Sequence, residues 1–478
     1  MPGKYEASKG GNRRNSREIS TFPIVIILIL IVVVSTFALL IRFGLFKSDS
    51  DTSKNNSGSV LGDWGIDLPT EDSTVPTETT PPAVHQVSSA TVAATGDLLM
   101  HMPVIDTCLK SGGVYNFDSI FKYLTPYSSA ADYAAANLET TLCGTTNGFE
   151  YHGYPHFNCP DEIVDSALTA GFDMMLTANN HSYDTTLVGY KRTLEVIRDA
   201  GMDTLGTYAS ADEVKWTIKE VNGINIGMLC YTYATHDVDG RPRLNGNVAI
   251  AEKGICNYFI YENLNAFYSE VETYLDEMEN AGAEATILYI HWGVEYQTSA
   301  NQQQTAIAQK LCDLGVDVIV GGHPHVIQPI DLLTSTVDPE HKTVCLYSMG
   351  NAVSNQRREF MNLKTGHTED GMLFSVTFSK YSDGTVYVDS TDILPTWVNM
   401  HHPGGVKEYN ILPLDIETVD DWKTLYNLSD AQYQSSKDSY DRTMAIVGSG
   451  LEECQTYLAD AKQQRDEAYL AAVQKPAA

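Results

Sequence analysis

An α/β fold is the class this sequence predicts, and three features predict it. Apolar stretches of strand length alternate with stretches of helical periodicity, the order that builds parallel strands joined by helices. Two hairpin signals, Asn222-Gly223 and Asp383-Gly384, each set between strand-like runs, add antiparallel strands. One predicted strand after another also ends at a residue able to hold a metal, and in open α/β sheets the functional crevice lies beyond the carboxyl ends of the strands.

Taken from the N-terminus, residues 1–18 form a basic tail with Lys4, Lys9, Arg13, Arg14 and Arg17 against Glu6 and Glu18, and no charged residue occurs over 19–41. About 20 apolar residues suffice to cross the hydrocarbon core as a helix, and the basic flank places the N-terminus in the cytoplasm. The stretch 19–41 is therefore predicted to be a retained transmembrane signal anchor. A cleaved signal peptide would have a shorter apolar core of ~7–15 residues. The segment 42–87, rich in Ser, Thr, Asp and Pro, has too little apolar surface to offset chain entropy and is predicted to be a disordered linker.

A folded domain is expected over 88–400, outside the membrane. Its first strand, 91–96, leads into Asp97, and a second, 131–137, leads into Glu139. A helix over 160–170, with Pro160 at its first turn, precedes a strand over 172–177 that runs into Asn179-Asn180-His181. Helix 187–200 follows, then a hairpin of 216–221 and 224–231 turning at Asn222-Gly223. Helix 264–281 leads to strand 285–290, which ends on His291. Helix 302–314 feeds strand 316–320, followed by Gly321-Gly322-His323-Pro324-His325, where the two glycines are expected to let the chain turn with nothing blocking the imidazoles. Strand 344–348 ends in Gly350-Asn351, and 372–378 with 385–390 make a last hairpin. Beyond these, 401–478 is expected to be a partly helical extension, its 451–473 stretch a surface helix or a frayed tail.

The formal net charge of −30, from 61 acidic and 31 basic residues, argues against nucleic acid as a partner, because phosphate binding needs basic patches. Eight scattered cysteines, none in a Cys-x-x-Cys pair, disfavour a cysteine-rich zinc module. Cys143 and Cys159 flank a Gly/Asn-rich loop and would be open to bridging outside the cell; Cys230, Cys312 and Cys345 lie in apolar runs and read as buried free thiols.

The candidate metal ligands are Asp97, His101, Glu139, Asn180, His291, His323 and His325. Oxygen and imidazole donors without a thiolate suit Mn, Fe, Zn or Co. They are too many for one tetrahedral zinc, and they fit two divalent transition-metal ions bridged by a carboxylate, with Glu139 as the bridge. His181 is the expected proton donor to a leaving group, and Asp184 either orients that imidazole or caps the following helix. Each residue alone has a plainer reading as turn, core or surface residue. The joint arrangement requires those plainer readings to hold at every strand end at once.

The series Thr95-Gly96-Asp97, Asn137-Leu138-Glu139, Asn179-Asn180-His181-Ser182-Tyr183-Asp184, His291-Trp292-Gly293 and Gly322-His323-Pro324-His325 resembles the motifs of the CapA family. That family comprises capsule or poly-γ-glutamate synthesis proteins within the calcineurin-like metallophosphoesterase superfamily. The resemblance covers about residues 88–355 and implies a four-layer α/β/β/α sandwich with a dinuclear metal centre. Two positions depart from the wider superfamily. Leu99 stands where an Asp-x-His opening has its second ligand, with His101 as the candidate substitute, and Glu139 stands where an Asp is customary. The resemblance implies work on an anionic cell-surface polymer or its precursor, with membrane polymer-synthesis subunits as possible partners. Expected functions are thus a membrane-anchored, metal-dependent hydrolase, a non-catalytic accessory subunit of a polymer export assembly, or an amide hydrolase or transferase.

Overall fold

The computed structural model describes residues 83–473, apart from 147, 237–239 and 247. The predicted basic tail, membrane anchor and nearly all of the linker lie outside the described residues. Among the described residues, no helix is long and apolar enough to cross a membrane.

Alternating apolar side chains explain the two main sheets. In β1 (Gln86–Leu98), Val92 and Ala94 face one way and Ala93 the other, and both faces are buried. A strand covered on both faces must be apolar almost throughout, as the central strands here are. The first sheet continues from β1 through β2 (Tyr133–Asn137), β3 (Met174–Leu176) and β4 (Asp203–Leu205), all parallel. The second contains the hairpin β5 (Thr217–Val221) and β6 (Ile224–Tyr233), and a small separate sheet joins β7 (Thr235–His236), β8 (Pro242–Leu244) and β9 (Val248–Ala249). The second sheet is completed by β10 (Tyr258–Phe259), β11 (Ala285–His291), β12 (Val318–Gly322), β13 (Ile330–Thr334) and β14 (Lys342–Leu346), in the order β10-β6-β11-β12-β14-β13. The chain then returns to the first sheet with β15 (Asn351–Val353), β16 (Asp370–Tyr381), β17 (Val386–His401) and β18 (Glu408–Pro413), the last three antiparallel beyond β1.

The helices fall on the outer faces. On the first sheet lie α1 (Met102–Cys108), α2 (Asp118–Phe121), α3 (Thr125–Ser128), α4 (Glu162–Thr169) and α5 (Thr186–Asp199); α1, α2, α4 and α5 share a core with the outward face of β1–β3. Helices α6 (Leu264–Asn280) and α7 (Gln302–Asp313) cover the outward face of β6, β11 and β12. Between the sheets, Val92, Ala94, Met174, Met228, Ile287, Tyr289, Val318 and Val320 build a common core. The layers therefore run helix, sheet, sheet, helix.

Three expectations are corrected. The C-terminal extension is helical as expected but is not only a surface element: after a short α8 (Trp422–Leu425), α9 (Asp430–Val473) sends Val447, Leu451, Cys454 and Leu458 into the core between the sheets. Cys143 and Cys159 are separate, buried free thiols. The glycines after 320 remain in the extended β12, and the left-handed backbone falls instead on His323 (φ 94°) and His325 (φ 57°).

Candidate metal centre

Every strand that carries a candidate ligand delivers it to one seam between the sheets. Asp97 is the penultimate residue of β1, Glu139 lies two residues past β2, and Asn180 and His181 follow β3. From the second sheet, His291 closes β11, and His323 and His325 follow β12. Their ligand atoms gather into two buried groups, Asp97–Glu139–His325 and Glu139–His291–His323, which share Glu139. His325 Nδ1 lies 3.0 Å from Asp97 Oδ2 and 3.9 Å from Glu139 Oε2, and His291 Nε2 lies 3.5 Å from Glu139 Oε1. Asn180 adds its Oδ1 at 2.8 Å from His291 Nε2.

Close backbone packing sets these positions. A Cβ on Gly321 would fall 2.0 Å from Tyr347 O and 2.6 Å from Trp292 Nε1, so only glycine lets β12 run there. One on Gly322 would come 3.4 Å from Asp97 Oδ1 and 3.5 Å from His291 Nδ1, against the ligands themselves. Positive φ at two non-glycine residues is strained, and such strain concentrates at functional sites.

The electrostatics fit a cation. Both Glu139 oxygens and His323 Nδ1 are buried without a hydrogen-bond partner, a costly condition for polar groups unless something else binds them. Burial, and then the neighbouring Asp97 charge, push the Glu139 carboxyl well above the usual carboxylate range. Burial alone would raise Asp97 too, but the hydrogen bond and charge of His325, helped by His291 and Asn137, hold it below its ordinary value. Burial pushes His291 down to about 3 and holds His323 well below its ordinary range, so both imidazoles are neutral, the form that ligates metals.

Beside the triads, His181 Nδ1 lies 2.7 Å from Asp184 Oδ2, which also accepts a hydrogen bond from Phe157 N at 2.7 Å. The Phe157 ring meets His181 edge-on. Asp184 thus orients the imidazole, one of the two roles expected for it. Asn179 fixes the loop by donating to Leu138 O and Asn137 Oδ1.

His101 is outside both triads. Its Nδ1 faces Leu99 O at 3.2 Å and Asn355 N at 3.3 Å, its ring packs edge-on against Phe157, and burial lowers it to about 4. Leu99 is buried apolar core. Two residues the sequence reading did not assign belong to the site. Asn137 Nδ2 donates to Asp97 Oδ1 at 2.7 Å, and Asn351 Oδ1 lies 3.1 Å from His325 Nδ1. Both sit at strand ends, the signal that located the other ligands, but their amide side chains were passed over.

Residues 91–356 match the family described as bacterial capsule synthesis protein PGA_cap. The chain is 29% identical over 302 residues to the PGA biosynthesis protein CapA of Bacillus subtilis (strain 168), a match spanning 62% of this chain and 70% of that one. It is 27% identical over 291 residues to the capsule biosynthesis protein CapA of Bacillus anthracis, spanning 59% of this chain and 64% of that one. A Staphylococcus aureus crystal structure described as a 5'-nucleotidase in complex with alpha-ketoglutarate aligns with a TM-score of 0.39 and 14% identity, over 64% of this chain and 54% of that one. That likeness is too slight to support a fold assignment.

Proposed function

The chain belongs to the bacterial capsule synthesis protein family PGA_cap, and from that premise we propose that it is a metal-dependent hydrolase of the metallophosphoesterase type. It acts in the synthesis of a capsule, poly-γ-glutamate or another cell-surface polymer. The observation that carries this reading is Glu139, a fully buried carboxylate common to two triads with neither oxygen hydrogen-bonded. Two divalent transition-metal ions (Mn, Fe or Zn) would be held by Asp97, Glu139 and His325 on one side and Glu139, Asn180, His291 and His323 on the other, and they would supply the Lewis acidity that polarises an ester and acidifies water.

The chain's own residues do the rest. Asp184 takes the hydrogen bond of His181 Nδ1, which leaves Nε2 as the nitrogen able to pass a proton to a departing group. Phe157 shields that imidazole from water on one face. The charge-free stretch 19–41 supports a single membrane anchor with the N-terminus inside the cell and the folded domain outside. The substrate is then an anionic surface polymer or its precursor, with membrane polymer-synthesis subunits as partners.

A second reading, a non-catalytic accessory subunit of an export assembly with a structural ion, draws on buried Leu99 at the customary second ligand position and on a first triad with a single imidazole. Metal analysis of the full-length, detergent-solubilised protein separates the two readings when combined with turnover of aryl phosphoester and γ-glutamyl amide substrates. The hydrolase reading expects close to two ions per chain and turnover that collapses in His181→Ala by ~10²–10⁴-fold while metal stays bound. Less than half an ion per metal-replete chain would remove it, and bound metal without turnover would favour the accessory role.

A further inference from the structure

Helix α9 lies outside the residues matched to the family, yet a buried ion pair ties it to the metal centre. Arg442 donates to Asp370 from Nε at 2.8 Å and from a terminal nitrogen at 2.6 Å, and Ser439 Oγ donates to the same carboxylate at 2.6 Å. Asp370, 1% exposed, is the first residue of β16. Two residues before it, Thr368 O accepts from Asn351 Nδ2 at 3.0 Å, and that nitrogen also reaches His325 O at 3.2 Å. Asn351 Oδ1 faces His325 Nδ1, the atom turned toward Asp97 and Glu139. Asn351 is also in register with Asp97 across β15 and β1.

There is little slack along this route. A Cβ on Gly350 would lie 2.6 Å from Asp370 O, and one on Gly371 would lie 2.2 Å from Asn351 O, so the start of β16 bears directly on the Gly350-Asn351 backbone. Displacing Asp370 must therefore displace Asn351, and with it the ring of His325.

We propose that Arg442 and Ser439 are positioning residues for the Asp97–His325 half of the metal centre, acting through Asp370 and Asn351. This rests on reading the two triads as a dinuclear site. Partners that orient a ligand from behind commonly change metal affinity by ~10–100-fold when removed.

The test is equilibrium dialysis of the full-length solubilised protein against Mn²⁺, with metal analysis, for wild type, Arg442→Gln and Arg465→Gln. Arg465 is the control: from the same helix it pairs with buried Asp389, which lies beside the β16–β17 register at the Ala90–Thr91 level, well back along β1 from Asp97. Arg442→Gln is expected to weaken one of the two ions by ~10–100-fold and leave the other unchanged, while Arg465→Gln binds both as wild type does. If Arg442→Gln does not fold, the double variant Arg442→Met/Asp370→Asn, which leaves no unpaired buried carboxylate, is expected to show the same selective loss. Unchanged binding of both ions in the folded variant, or equal losses in the Arg442 and Arg465 variants, would overturn the proposal while leaving the dinuclear centre standing. A wild-type chain that binds no Mn²⁺ would overturn both.

Discussion

The two sheets bring different chemistry to the same seam. From the first come oxygens: Asp97, Glu139 and Asn180, with the amides of Asn137 and Asn351 in support. From the second come nitrogens, the imidazoles of His291, His323 and His325. Neither sheet alone offers a mixed set, and contacts such as Asp97–His325 join residues 228 apart in sequence. The cluster therefore exists only once the sheets have packed, and ion binding there would be part of the folding free energy rather than an addition to a finished protein.

The strongest way to break that division of labour is Glu139→Gln. Glu139 alone belongs to both triads, and a neutral amide cannot bridge two cations, so metal analysis should show both ions lost together with the stability they add. Retention of either ion would show that the triads are independent. The contrast sharpens with single-ligand variants from opposite sheets. Asp97→Asn should lose the ion shared with His325 and keep the one held with His291 and His323, and His323→Ala should do the reverse. The half that stays occupied in each variant can be identified by Co²⁺ absorption, since the two donor sets differ. The smallest effect belongs to Asn301→Ala, behind the second sheet. Asn301 caps α7 by accepting from Gln303 N and Gln304 N while Gln304 Oε1 accepts from Asn301 N. Its loss should cost about 1 kcal/mol in denaturant unfolding and leave ion content unchanged. A loss of metal there would mean the second sheet's helices reach into the centre.

Much of this arrangement was legible because ligand-type residues and strand ends coincide. Apolar runs ending on Asp97, His291 and His323 located the seam, and Asn222-Gly223 does turn the β5–β6 hairpin. Spacing from Asp97 cannot show which ring nitrogen of His101 is already engaged: its Nδ1 is turned to the backbone of Leu99 and Asn355, and the residue stands outside both triads. The first half of helix α9 and its inward packing were not legible because the inward face begins with small polar residues. Ser436, Ser439, Thr443, Val447, Leu451, Cys454 and Leu458 are all buried at helical spacing, but the apolar half starts only at Val447. Within that polar half, Ser439 meets the demand of buried Asp370 for a hydrogen-bonding partner, a demand that no periodicity of hydrophobic residues announces.

The eight unbridged thiols have a practical consequence. All are buried, and burial pushes Cys108, Cys230 and Cys454 up to about 12. Since the thiolate is the reactive form, alkylating dyes would label the native protein only as fast as it breathes. Cys454 would then clock the lifting of α9, and Cys230 the parting of the sheets, with no probe introduced.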